Sequence, residues 1–151
     1  MSILSLLSSN RVFNNLEGGS KKRTLEIISE HLAQSHSDLA EEAVFSGLIN
    51  RERLGSTGIG DGVAIPHCRL PGLQEAVGVF VRLATPVDFD AIDNRPVDLM
   101  FFLLVPEDAC DQHLATLGAL AEAFSKEENR NKMRSAASDS ELMQILESTF
   151  N

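Results

Sequence analysis

The sequence predicts a single α/β domain in which a mixed β-sheet is flanked by helices. The predicted elements follow the order helix, helix, strands, helices, which does not alternate strictly and so argues against a purely parallel, doubly wound sheet. Residues 76–83 and 97–105 are apolar on both faces, which is typical of internal strands. A chain of 151 residues is long enough to bury one sizeable core.

Helical spacing of apolar residues predicts two helices before these strands. The first covers residues 20–34, with Ser20 as its cap. The second runs from about residue 37 to residue 54, and Asp38 and Glu41 at its start have the spacing of a capping box.

More helices are predicted after the long apolar strand. One continues to about Phe124, and a polar helical segment follows to about Ala136. Ser138 and Glu141 then form a capping box for a last helix.

The middle of the chain is rich in turn residues. Residues 55–62 contain four glycines and are predicted to form a loop, followed by a short strand over 63–65 that Pro66 ends. Residues 85–90 are predicted to be a short edge strand, because Pro86 lacks the amide hydrogen of a central strand.

Composition excludes several classes of function. The net charge of -9 repels nucleic-acid phosphates, so no nucleic-acid partner is expected. No apolar run approaches the roughly 18 residues that span a membrane, so no membrane insertion is expected. Two cysteines are too few for a disulfide framework, and the N-terminus does not read as a signal peptide, so the chain is expected to be cytoplasmic.

His67 is the first candidate for chemistry. It follows Ile65-Pro66, a pair with restricted backbone geometry, and it lies next to the glycine-rich loop. Neutral imidazole is a competent nucleophile near neutral pH. The alternative, a surface histidine in a turn, stays open on position alone.

His113 and Arg51 are weaker candidates. His113 is predicted at the start of a helix, where free amide groups favour anions, and its alternative is a satisfied core histidine. Arg51 ends the second predicted helix, where it either stabilises the helix terminus or forks onto a phosphate.

The glycine-rich loop does not match the nucleotide-binding loops. A P-loop requires Lys where Asp61 stands, and a dinucleotide fingerprint requires Gly where Val63 stands. What remains is a loop whose backbone amides are able to approach an anion.

Two other readings involve the cysteines. His67-Cys68 and Cys110-x-x-His113 together offer two Cys and two His ligands to zinc, although the first two side chains point in different directions in extended backbone. The other reading is a Cys68 nucleophile activated by His113.

Three stretches, in the right order, resemble one family. Residues 55–67 run Gly-Ser-Thr-Gly-Ile-Gly-Asp-Gly-Val-Ala-Ile-Pro-His, residues 20–28 run Ser-Lys-Lys-Arg-Thr-Leu-Glu-Ile-Ile, and residues 89–99 run Phe-Asp-Ala-Ile-Asp-Asn-Arg-Pro-Val-Asp-Leu. The first is similar to the active-site stretch of enzyme IIA of the fructose–mannitol class of the bacterial phosphotransferase system. All three together resemble the nitrogen-type members of that class, across nearly the whole chain.

The resemblance implies a role for each candidate. His67 corresponds to the phosphorylated histidine, His113 to the histidine that hydrogen-bonds the phosphate, and Arg51 to the arginine that stabilises it. Residues 1–151 are then expected to form one EIIA type-2 domain with an α/β sandwich fold. No cofactor or metal is needed, because the phosphoryl donor arrives already activated.

The resemblance also implies partners. The donor is a carrier protein similar to HPr or NPr, and regulatory targets such as sensor kinases or potassium transporters are implied for the nitrogen type. A sugar-transport IIA that passes phosphate to a IIB component is the alternative. Two residues depart from the family pattern: Cys68 stands where glycine is common, and Asp61 where Asn is frequent, so its side chain is expected to point away from a phosphate.

Overall fold

The computed structural model describes residues 3–108 and 112–150. Within these ranges, six strands form one mixed sheet: β1 Val12–Leu16, β2 Gly58–Gly60, β3 Val63–Ala64, β4 His67–Leu70, β5 Val77–Val87 and β6 Val97–Pro106. The strand order is β1-β5-β6-β3-β2, and β4 pairs with β6. The β5–β6 and β2–β3 pairs are antiparallel and the other pairs are parallel. The predicted mixed sheet is confirmed.

β3 and β4 form one strand that is interrupted at Pro66. Val63 is opposite Leu99 and His67 is opposite Leu103, so both halves follow β6 in the same parallel register. The carbonyl of Pro66 accepts the amide hydrogen of Leu103 at 2.9 Å, which continues the ladder through the proline. The predicted short strand before Pro66 is confirmed as β3. Pro66 does not end the pairing with β6, because proline lacks a donor but keeps its acceptor.

The sequence analysis also differs from the structure in three other parts of the sheet. The predicted loop over 55–62 contains β2, which pairs with β3. The separate edge strand over 85–90 is the continuation of β5, which passes through Pro86 to Val87 beside an irregularity in its pairing with β6. A bulge tolerates proline, since the local ladder is already disrupted. β1 was not predicted at all.

Five helices lie within the described residues: α1 Lys21–Ser35, α2 Glu41–Arg53, α3 Gln112–Ser125, α4 Glu127–Ser135 and α5 Asp139–Phe150. The predicted caps of α1 and α5 are confirmed. Ser20 Oγ accepts the amide hydrogen of Arg23, and Ser138 Oγ accepts that of Glu141, both at 3.1 Å.

The predicted start of α2 is wrong. The helix begins at Glu41, and Ala40 occupies the N-cap without a side-chain hydrogen bond. The amide of Leu39 instead bonds the carbonyl of His36 at 3.1 Å, and the Leu39 side chain is buried. This core contact holds residues 36–39 in a turn, so the Asp38–Glu41 capping box does not form.

The helices cover the two faces of the sheet and close two apolar layers. α1 and α2 bury one face through Leu25, Ile28, Val44, Leu48 and Phe102 of the sheet. α3, α4 and α5 bury the other through Phe80, Phe101, Phe124, Met133 and Leu146. None of the helices in the described ranges has the length and apolarity that crossing a bilayer requires.

Candidate active site

A pocket of about 520 Å³ opens at the outer edge of β4. Among the described strands β4 pairs only with β6, so this edge is left to the helices. α2 approaches it from one layer and α3 from the other. The pocket brings together all three predicted site residues, with these side chains on its wall: Arg51, Leu54, His67, Arg69, His113 and Leu117.

The imidazole of His67 is held by both of its nitrogens. Nδ1 lies 2.7 Å from the carbonyl oxygen of Ile65, and Nε2 lies 3.3 Å from Nε of Arg51. A carbonyl only accepts and a guanidinium only donates, so Nδ1 carries the hydrogen and Nε2 carries the lone pair. The ring is thereby fixed in one tautomer, with its nucleophilic nitrogen beside a cation.

The surroundings of His67 keep the ring uncharged. Burial lowers the pKa of His67, and the Arg51 guanidinium lowers it further, while the Ile65 carbonyl and the Glu52 carboxylate act in the opposite direction. The net direction is downward. Since the ordinary pKa of histidine is about 6.5, the neutral, nucleophilic form dominates at neutral pH.

Arg51 has two contacts at the end of α2. Besides the bond to His67, its Nη1 donates to the carbonyl of Gly55 at 2.8 Å. The second bond links the last turn of the helix to the start of the glycine-rich loop. Both predicted roles of Arg51 are therefore compatible, because one nitrogen supports the helix terminus while another faces the imidazole.

His113 lies in the first turn of α3 and is 8 % exposed. Its Nδ1 is buried and has no hydrogen-bond partner among the described residues. A satisfied core histidine, the alternative considered above, would have such a partner. The orphaned nitrogen and the position at a helix N-terminus both suit an anion in the pocket.

The glycine-rich loop does not offer the free amides that the sequence suggested. The amide of Thr57 donates to Glu52 Oε1 at 3.1 Å, that of Gly58 to Ser56 Oγ at 3.0 Å, and that of Asp61 to Asp93 Oδ2 at 2.9 Å. None of residues 55–62 lines the pocket. The expectation of an anion cradle is wrong for these three amides.

Glu52 is the residue that sequence reasoning missed. Its side chain is 3 % exposed, forms an ion pair with Lys21 at 3.1 Å, and accepts hydrogen bonds from both the amide and the hydroxyl of Thr57. Lys21 in turn lies 4.8 Å from the ring centroid of Phe89. Glu52 therefore ties α1, α2 and the glycine-rich loop together directly behind Arg51.

The sequence profile of the phosphoenolpyruvate-dependent sugar phosphotransferase system family, EIIA 2, matches residues 5–149. The chain belongs to this EIIA family. It is 45% identical over 141 residues to the nitrogen regulatory protein of Pseudomonas aeruginosa, covering 93% of this chain and 92% of that protein. It is 47% identical over 150 residues to that of Escherichia coli K12, covering 99% and 91%. The predicted resemblance to the nitrogen type is confirmed.

Solved structures agree with this EIIA assignment. The nitrogen regulatory protein IIA-Ntr of Neisseria meningitidis superposes with a TM-score of 0.88 at 44% identity, covering 94% of this chain and 97% of that one. IIA mannitol from Escherichia coli, at 19% identity and a TM-score of 0.77, shows the same fold over 93% of this chain and 98% of that one. The predicted α/β sandwich is confirmed.

The structure describes both residues that were expected to depart from the family pattern, Asp61 and Cys68. Asp61 is half-exposed, forms ion pairs with Arg130 at 3.8 Å and Arg95 at 4.0 Å, and does not line the pocket. This orientation agrees with the expectation that its carboxylate points away from a bound phosphate. Cys68 is buried, and burial raises the pKa of its thiol to about 12.

The raised pKa weighs against the cysteine-nucleophile reading, since the thiolate is the reactive form. The zinc reading required Cys110, which lies outside the described residues. Across residues 3–108 and 112–150, no group of three or more His, Cys, Asp or Glu side chains is arranged to hold a metal ion.

Proposed function

We propose that this EIIA chain is a phosphocarrier that accepts a phosphoryl group on Nε2 of His67 from a phosphorylated HPr-like carrier of the nitrogen type, NPr. The observation that carries the proposal is the His67 ring itself. It is neutral, fixed by Ile65 through Nδ1, and presents the Nε2 lone pair in a pocket beside Arg51. We place this activity in the cytoplasm, where such carriers work.

The reaction is an in-line transfer between two histidines. The lone pair of His67 Nε2 forms a new N–P bond while the N–P bond of the carrier's phosphohistidine breaks and returns its electron pair to that ring. The hydrogen on Nδ1 stays bonded to the Ile65 carbonyl throughout. No proton has to leave the attacking nitrogen, so the site needs no general base.

Charge stabilisation comes from the groups around His67. As the phosphoryl group arrives, the hydrogen bond from Arg51 to Nε2 of His67 breaks. The guanidinium then donates to the phosphoryl oxygens, which match its forked geometry. His113 donates from the other side of the pocket. Phosphoryl transfer depends chiefly on this kind of positioning and charge stabilisation.

The consequence of phosphorylation is regulatory in this proposal. A phosphoryl group adds about -1.5 to -2 charges, at a pocket whose wall carries Arg51 and Arg69. The positive charge of the surface that a target protein meets is thus largely cancelled. Sensor kinases and potassium transporters remain the proposed classes of target, since the relatives of highest identity described above are nitrogen regulatory proteins.

A second candidate is transfer onward to a sugar-specific IIB component. The chain is 34% identical over 105 residues to a protein named the fructose-specific EIIA component of Haloferax volcanii, covering 70% of this chain and 68% of that protein. A IIB protein that takes phosphate from His67 would establish this candidate. If no IIB protein of the same genome takes phosphate from His67, the regulatory role is the candidate that remains.

The proposal is tested by incubating the protein with phosphoenolpyruvate, an enzyme I-type kinase and either NPr or HPr, followed by intact-mass measurement. We expect the mass of one phosphoryl group to be added, faster with NPr, and lost in acid. His67→Gln should abolish the addition, while His36→Gln, at a half-buried histidine that does not line the pocket, should leave it intact. Phosphorylation of the folded His67→Gln variant would place the site elsewhere.

A further inference from the structure

α2 meets β4 at two points that are one helical turn apart. Arg51 contacts His67, as described above, and Gly47 lies against Cys68. Residues four positions apart share one face of a helix, so both contacts belong to the same side of α2. His67 and Cys68 are consecutive in β4, and the distance of α2 from the strand is therefore common to both pairs.

The structure explains why residue 47 is a glycine in the middle of a helix. A Cβ atom added there would lie 2.9 Å from Sγ of Cys68 and 3.1 Å from Cδ2 of Leu70. Interior glycine destabilises a helix by about 1 kcal/mol relative to alanine, and a helical backbone does not require it. The close approach of α2 to β4 is thus the one feature that requires glycine here.

Cys68 is the fixed partner in this contact. It pairs with Leu104 of β6 in the parallel ladder, and its side chain is buried in the layer beneath α2. A cysteine side chain has only one rotatable bond before the sulfur, and Cβ of Cys68 is carried by the paired strand. A methyl group on residue 47 is therefore expected to displace the helix rather than the strand.

We propose that the contact between Gly47 and Cys68 sets the separation of α2 from β4 and thereby positions Arg51 against the imidazole of His67. Gly47 and Cys68 also line the pocket, but in this account they are positioning residues that act through Arg51. The consequence for phosphoryl transfer rests on the proposed function, whereas the effect on the Arg51–His67 contact does not.

The first test is Gly47→Ala, with the titration of His67 followed by NMR. Displacement of α2 withdraws the guanidinium and admits water, and both changes raise the pKa of His67 above its value in the unchanged protein. We also expect the rate of phosphoryl acceptance to fall by about 10²-fold, the usual consequence of misplacing a catalytic group by about 1 Å.

The second test is rescue. Cys68→Ala removes Sγ and leaves its Cβ 3.5 Å from the added methyl group, an ordinary contact. Cδ2 of Leu70, at 3.1 Å, remains close, but it is the end of a longer, flexible side chain. Gly47→Ala combined with Cys68→Ala should therefore return the His67 titration and the transfer rate towards those of Cys68→Ala alone. If Gly47→Ala does not fold, recovery of folding in the double variant reports the same contact.

Gly118→Ala is the matched control. Gly118 is also inside a helix, α3, but a Cβ atom there meets nothing within 4 Å. It should leave the His67 titration and the transfer rate unchanged.

Two results would overturn the proposal. One is a folded Gly47→Ala protein with an unaltered His67 titration. The other is a double variant that behaves like Gly47→Ala, or remains unfolded as it does. If the unchanged protein accepts no phosphate at His67, the proposed function fails, but the titrations still decide whether Gly47 and Cys68 position Arg51.

Discussion

The glycine-rich loop and the pocket at the edge of β4 differ in the hydrogen bonding of their polar groups. In the loop, the amides of Thr57, Gly58 and Asp61 are bonded by side chains of the protein itself. His113 lines the pocket, and its buried Nδ1 has no partner among the described residues. The three bonded amides belong to the part of the sequence that looks most like a phosphate cradle.

This difference distinguishes a structural role for the loop from a ligand-binding role for the pocket. A buried polar atom without a hydrogen bond costs about 1–3 kcal/mol, so proteins tolerate it mainly where a ligand will supply the missing partner. The amides of Thr57, Gly58 and Asp61 leave no such vacancy. The glycines of the loop serve geometry: Gly60 and Gly62, with φ of +101° and +78°, shape the turn between β2 and β3 that leads to His67. In the proposed function, side chains from α2, β4 and α3 hold the phosphoryl group.

Removal of Glu52 should have the largest effect on the loop side of the comparison, because Glu52 accepts hydrogen bonds from both donors of Thr57. Glu52→Ala leaves the two donors of Thr57 without their partner and removes the buried partner of Lys21, which keeps its ion pair with Asp90 at 3.5 Å. We expect the free energy of unfolding to fall by about 3 kcal/mol, as when one member of a buried ion pair is removed. Urea denaturation measures this loss.

Glu42→Ala is the control for that experiment. Glu42 is exposed in the first turn of the same helix, where a carboxylate contributes about 0.5 kcal/mol through the helix dipole. The folded Glu52→Ala protein should still accept phosphate on His67. A loss of stability no greater than in Glu42→Ala would mean that the loop does not depend on Glu52.

Local signals in the sequence were sufficient for much of the fold. Ser20 and Ser138 mark true helix starts, because a cap satisfies amides of its own helix and needs no distant partner. The apolar run of β6 is long enough to indicate a central strand by itself. These features depend on a few consecutive residues, which is why they could be predicted.

Features that depend on distant pairing could not be predicted. β1 carries Asn14 and Asn15, the latter with a φ of +58°, and becomes a strand only because β5 lies beside it. β4 follows a proline that looks like a stop until the Pro66–Leu103 hydrogen bond is known. Glu52 looks like an exposed helical residue until the glycine-rich loop folds over it. The pocket residues were found one by one, but their meeting at one sheet edge follows from the topology.

Substitution of His113 tests whether the unpartnered nitrogen in the comparison has a role in phosphoryl transfer. If its orphaned nitrogen serves the phosphoryl group, His113→Ala should slow phosphoryl acceptance by about 10²-fold, the usual effect of removing one transition-state donor. His67 should still become phosphorylated at long times. Rapid-quench kinetics with phosphorylated NPr measures the rate.

His113→Gln is the conservative counterpart, because glutamine keeps a hydrogen-bond donor. Its rate should lie between those of His113→Ala and the unchanged protein. Equal rates for all three proteins would show that His113 does not contribute to phosphoryl acceptance and that it is a core histidine.

The smallest expected effect is a displacement of the pH profile by the environment of His67. Only the neutral ring has a lone pair on Nε2, and burial, with Arg51, lowers the pKa of His67. Phosphoryl acceptance should therefore keep its plateau below pH of about 6.5, the ordinary value for histidine, and decline only as the pH passes through the lowered pKa. An NMR titration of His67 in the folded and urea-unfolded chain measures the displacement directly.

The same shift has a consequence for stability, with a definite sign. Because the folded chain binds a proton on His67 less readily than the unfolded chain, acidification below about pH 6.5 favours unfolding until the lowered pKa is reached. His67→Gln lacks this proton, so it should lose less stability than the unchanged protein as the pH falls through that window. If His67 titrates at or above the value of the unfolded chain, its surroundings do not favour the neutral ring, and the pocket loses its advantage over an ordinary surface histidine.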